Sequence, residues 1–148
     1  MSPATVRFIE SRTVDRRGAP VNEVADFEEY CHLYWEAWRP PLVRWLLSTV
    51  PSTMIFDDHD VHDDWNTSEA WVREIRRKPW WQERIIGAYA SYWIYQHIGN
   101  LSPQELRASD LVAEVTGAED ATDTLRAFAR RAKSRTSRLP SPASRTAS

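Results

Sequence analysis

Cysteine is nearly absent: Cys31 is the only one in 148 residues. A lone thiol excludes an internal disulfide framework and a cysteine-built zinc site within one chain. Long hydrophobic runs are missing too. No stretch approaches the roughly 18 apolar residues of a membrane span, and no charged-then-apolar leader opens the sequence. The expectation is therefore no membrane partner and, with no signal peptide, a cytoplasmic location. Internal repeats are absent, which sets solenoids aside. Neither sign of charge dominates: the net charge is −2. Nothing about the whole chain then demands nucleic acid, and no specific nucleic-acid partner is expected.

Tryptophan, by contrast, is plentiful, with eight residues. Each large aromatic buries on the order of 150–250 Å², so the contact area inside the fold must be large. Hydrophobic spacing supplies the elements. Residues 1–22 read as a polar, irregular N-terminal segment. Val24, Phe27, Cys31, Tyr34 and Trp38 recur every three or four residues and predict a helix over about 24–38. Pro40 and Pro41 stop it, and a second helix is expected over 41–49. Further helices are expected from Thr67 or Ser68 to Lys78, from Pro79 to Ile98, in a short turn from Ser102, and over about 118–133. Thr53–Phe56 is the one clear strand signal, short, apolar and led by a β-branched residue. The last stretch, Arg130–Ser148, has five Arg, one Lys, five Ser, two Pro and no acid. It cannot offset the entropy of ordering and is expected to be a disordered basic tail, 130–148. The fold class is thus mainly α with one or two short strands, organised around a domain spanning 23–129. A buried strand needs neighbours for its backbone groups, so the chain reads as a fragment of a larger α/β protein.

After that strand comes Asp57-Asp58-His59-Asp60-Val61-His62-Asp63-Asp64, five carboxylates and two imidazoles in eight positions. Two readings stand. The run is either a solvated acidic loop or a metal site, because hard cations take carboxylate oxygens and imidazole suits iron and zinc. The run lacks the glycine and the twelfth-position Glu of an EF-hand loop. Elsewhere, His32 and His97 read as ordinary helix residues, Trp80, Trp81, Tyr89, Tyr92, Trp93 and Tyr95 as core or interface, and Arg73, Arg76, Arg77 and Lys78 as a solvated helix face.

The stretch Trp45-Leu46-Leu47-Ser48-Thr49-Val50-Pro51-Ser52-Thr53-Met54-Ile55-Phe56-Asp57-Asp58-His59-Asp60-Val61, followed by Asp63-Asp64-Trp65-Asn66, resembles the PhoD-type alkaline phosphatases of the calcineurin-like metallophosphoesterase superfamily. Pro79-Trp80-Trp81, Ser91–His97 and Gly99–Pro103 add to the likeness, which covers roughly residues 5–131. The resemblance implies a two-sheet α/β sandwich with a binuclear metal site, of calcium with iron or of manganese or zinc, hydrolysing phosphate mono- or diesters with metal-activated water. It places Asp58 at a metal-binding position, His59 at the transition state or leaving group as the catalytic residue, Asp57 near the metal, and Asp60 and Asn66 behind them. The superfamily's early Asp-x-His, its Gly-Asp block and its later Gly-His-x-His do not occur in this sequence. The expectation is an internal fragment of a metallophosphatase that is inactive alone. The alternative is a nonenzymatic helical interaction module, with self-association through exposed aromatics.

Overall fold

The computed structural model describes residues 2–63 and 68–136. Among them the protein is mainly helical and contains no strand. The central element is α5 (Trp81–Tyr92), continued by a wider π turn over Trp93–His97 and a last turn, α6 (Ile98–Asn100). Both α2 (Phe27–Trp38) and α9 (Thr122–Thr136) pack on α5. Ile85, Ile86, Ala88, Tyr89 and Trp93 from this rod join Tyr30 of α2 and Leu125 and Ala129 of α9 in the core, with Trp80 and Trp81 closing one end. Tyr89 and Trp93 of the rod are thus core, whereas Tyr92 and Tyr95 are only half-buried.

Gly87 sets the α2–α5 crossing. A Cβ there would come within 2.9 Å of Asp26 C and Phe27 N. Only a residue without a side chain lets the two backbones approach so closely.

The remaining helices decorate this frame. Asp26 caps α2 by accepting from the Glu29 N–H. α3 (Pro41–Thr49) starts on proline and matches its expected span. Ser68 caps α4 (Glu69–Ile75). Ser102 and Glu105 form a reciprocal cap on α7 (Pro103–Ala108), and Ser109 caps α8 (Asp110–Gly117), which the hydrophobic spacing had not separated from the surrounding turns. α7 packs on α8, and α8 on α9.

Three expectations are corrected. Residues 1–22 are not irregular throughout: α1 (Pro3–Ser11) is capped by Ser2, carries proline in its first turn and buries Thr5 and Ile9. The loop after it is also tied down. Buried Glu29 accepts from Arg12 Nη1 (2.9 Å), Arg16 Nε (2.6 Å), Arg16 Nη2 (2.9 Å) and the Ala25 N–H (2.7 Å).

The basic tail does not begin at 130. α9 runs to Thr136, and Ala129 is fully buried against the core. Its spacing of Leu125, Phe128, Ala129 and Ala132 continues the apolar face past the point where the composition changes. Residues 137–148 lie outside the described residues.

Thr53–Phe56 is not a strand and is not buried. It has no regular secondary structure, no strand among the described residues pairs with it, and Ile55 is 82% exposed while Phe56 packs against the core. One side chain takes the place of a partner strand: Asn100 Oδ1 accepts from the Met54 N–H (2.9 Å) and Nδ2 donates to Met54 O (2.6 Å). A single amide matches one residue's donor and acceptor, which ties the segment down at Met54 without building a sheet.

Candidate metal-binding turn

The acidic stretch is laid along one face of the α5–α6 rod. Asn100 holds Met54, as above. Phe56 stacks on Tyr89 (ring centroids 4.7 Å apart) and meets Tyr92 edge-on (5.1 Å). Gln96 Nε2 donates to Asp60 Oδ1 (2.9 Å) and to Tyr34 Oη (2.6 Å). Arg84 Nε donates to Val61 O (2.7 Å), while its Nη1 pairs with Glu23. Residues 89, 92, 96 and 100 follow helical spacing and, with the long side chain of Arg84, fix the segment at four places. The π turn falls where Gln96 reaches both Asp60 and Tyr34. Such wide turns re-aim side chains within a helix.

Held this way, Asp58–Asp60 closes into one 3₁₀ turn. Asp57 caps it: its Oδ1 accepts from the His59 N–H (3.0 Å), and its own N–H donates to Asp60 Oδ2 (3.0 Å). Asp58 O accepts from the N–H groups of Val61 (2.9 Å) and His62 (2.7 Å). The tight winding sends the side chains to different places. Asp60 turns inward and is half-buried; Val61 is buried; His59 and Asp63 face water.

Asp58, His59 and Asp63 each bring one ligand atom into a group whose members all lie within 4.8 Å of one another. His59 Nε2 and Asp63 Oδ1 are 3.5 Å apart. Two carboxylates and an imidazole suit a divalent ion with mixed oxygen and nitrogen preference. Three donors on an exposed turn leave room for water or a ligand, and are too few to hold two ions.

The structure sorts the expected site residues. Asp58 and His59 come together. Asp57 is turned to capping rather than toward the group, because its carboxylate satisfies the open end of the turn. Asp60 does not touch His59: both its oxygens are engaged, by Asp57 N–H and Gln96. Burial pushes the Asp60 carboxyl above its ordinary value, and the neighbouring Asp57 charge adds to this, against the opposing hydrogen bonds from Asp57 N–H and Gln96. Asn66 lies outside the described residues. Asp63 was legible only as a polar loop residue, yet it stands four positions after His59, the spacing that brings side chains together in a helical turn. Gln96, Asn100 and Arg84 were not read as supports of the site; the four-residue spacing of Gln96 and Asn100 was the available signal.

The other candidates keep their ordinary reading. Arg73, Arg76, Arg77 and Lys78 are exposed, with Arg73 paired to Glu69 (2.7 Å). His32 stacks on Phe8 (4.0 Å), as a packing residue. No described helix is long and apolar enough to cross a membrane. Comparison of the chain with protein-family models, with curated proteins and with solved structures found no match.

Proposed function

We propose that the Asp58–Asp63 turn holds a divalent metal ion and forms one side of a phosphoesterase site of the PhoD-like kind, with the helices of this chain as its support. The observation that carries the reading is the convergence of Asp58, His59 and Asp63 within 4.8 Å on a turn fixed to the rod. The resemblance of residues 45–66 to the PhoD-type phosphatases supplies the reaction class, and the sandwich belongs to this proposal with it. Asp58 and Asp63 would hold the ion, which when bound polarises a phosphoryl oxygen and activates water. His59 stands beside Asp63, which orients the imidazole to hand a proton to a leaving oxygen. Two carboxylates do not make a binuclear centre, so the chain alone binds one ion and turns over no substrate.

The test is calorimetric titration with Mn²⁺ and Ca²⁺, beside turnover of a chromogenic phosphodiester. Metal binding at one site, lost in Asp58→Ala and Asp63→Ala, with no turnover, is the expected result. Turnover that disappears in His59→Ala would put a complete enzyme in this chain and overturn the incomplete-site half of the reading. No saturable metal binding would remove the metal reading itself.

A second reading, a helical interaction module, is favoured by α3, which buries none of its residues.

A further inference from the structure

A cavity of about 490 Å³ opens between the Arg12–Arg17 loop and the starts of α2, α5 and α9. Its size falls within the roughly 300–1,000 Å³ of small-molecule sites. No residue of the acidic turn lines it. Its floor is apolar and partly aromatic: Phe27, Trp80, Ile86 and Leu125. Its rim carries the guanidinium groups of Arg12, Arg16, Arg17 and Arg126 and the carboxylates of Asp15, Asp26, Glu28 and Glu83.

The rim guanidiniums are not equivalent. Arg12 is engaged by Asp26 (2.8 Å), Glu28 (3.1 Å) and Glu29 (2.9 Å). Arg16 is held by Glu29 and by the carbonyls of Ala19, Pro20 and Glu23. Arg126 pairs with Glu83 (2.8 Å). Arg17 lines the same cavity, is exposed, and makes no ion pair among the described residues.

The backbone at Arg17 adds a second observation. Its φ is +53°, the only positive value outside glycine among the described residues, and Gly18 follows at +78°. The two form the corner of a turn closed by Ala19 N–H to Arg16 O (3.0 Å), and Asp15 Oδ1 accepts from the Arg17 N–H (2.8 Å). Glycine or asparagine fits that conformation with less strain. Residues held in such sparsely populated backbone regions cluster at functional sites, ligand clamps among them, and here the strained corner carries a long cationic side chain beside an apolar cavity.

We propose that this cavity binds a small molecule with a flat apolar body and one anionic group, carboxylate or phosphate, the body lying on Phe27, Trp80, Ile86 and Leu125 and the anion meeting Arg17. The aromatic floor suits a ring system. A guanidinium is suited to either oxyanion because its N–H fork bonds two oxygens at once. The site is independent of the metal-binding turn.

The test is calorimetric titration of the intact chain with 2-naphthoate, 2-naphthyl phosphate and uncharged 2-naphthol. One site per chain is expected for the anions, with naphthol at least about ten-fold weaker, the scale of one charge-assisted hydrogen bond. Arg17→Asn keeps the turn and removes the cation. It should weaken the anions about ten-fold while leaving the thermal midpoint unchanged or higher. Thr122→Trp, at the exposed mouth, should block binding, whereas Asp58→Ala should leave it intact. Binding of only one anion identifies the group the site takes. Equal affinity for naphthol, unchanged affinity in either cavity variant, or no binding of any probe would overturn the proposal.

Discussion

Glu29 shows how much can rest on one buried side chain. It is fully buried, yet all its acceptor capacity is used: two arginines from the loop after α1 and the Ala25 N–H converge on it. Removing one member of a buried charge network leaves the others desolvated and unpaired. Glu29→Ala should therefore cost about 3–5 kcal/mol, read as a lower midpoint in urea unfolding, while Glu28→Ala on the exposed neighbour should cost far less. Equal losses would mean that the network is not what orders the loop. Asp60 carries the opposite kind of cost. Its folded pKa lies above the ordinary aspartate value of 3.8, chiefly through burial. Below 3.8 both folded and unfolded forms are protonated and the burial penalty on the charge is absent. As pH rises through the raised folded value the penalty is imposed, so stability contributed here is present in acid and lost upward. A carbon-detected titration of the Asp60 carboxyl should give a midpoint above 3.8. Gln96→Leu, which removes a donor to the charged form and keeps the site buried, should raise it further; a midpoint at or below the ordinary value would refute the inward, half-buried placement.

Among the elements, the α2–α5 crossing is the tightest. In an isolated helix, replacing Gly87 by alanine would gain about 1 kcal/mol from backbone entropy. Here the added Cβ meets backbone of Asp26 and Phe27 at 2.9 Å and the Tyr30 ring at 3.0 Å. Backbone cannot yield as a flexible side-chain end can, so overpacking dominates and Gly87→Ala should lose about 1–3 kcal/mol in denaturant titration. A gain would show that the helices can separate without loss. The crossing also marks the limit of what was legible in the chain. α3 was readable to the residue because prolines bound it, and α5 because its apolar spacing runs for several turns. Thr53–Phe56 was misread because a short apolar run looks alike whether a strand or one asparagine amide holds it, and Asn100 lies 46 positions away. α1 carried a Ser-Pro start, but the surface that stabilises it is on α2. In the site, Asp58 and His59 were read from the sequence, whereas Asp63 was read only as a polar loop residue although it stands four positions after His59. The diversion of Asp57 to a cap and of Asp60 toward Gln96 depends on the tight winding of the turn and on a distant helix, which no local pattern encodes.

At the scale of the whole molecule, the apolar surface is unevenly covered. Leu42, Trp45 and Leu46 recur at helical spacing and so share one face of α3, but that face points to water: Leu42 is 81% and Trp45 62% exposed. An amphipathic helix in a closed fold normally turns this stripe inward. α3 instead touches the rest of the protein through α2, where exposed Trp35 carries Arg39 stacked on its ring at 4.4 Å. A contiguous apolar stripe in water favours association, since the area removed from solvent by a second copy is gained without reorganising the core. Sedimentation velocity across a wide concentration range should show self-association. Leu42→Glu with Trp45→Glu should abolish it, because two like charges at the centre of the stripe repel their counterparts in a second copy. Both side chains are largely exposed, so the substitutions should leave the unfolding midpoint nearly unchanged. A chain that stays monomeric at every concentration would rule out a second copy as the cover of α3. A double variant that still associates would move the contact to another face.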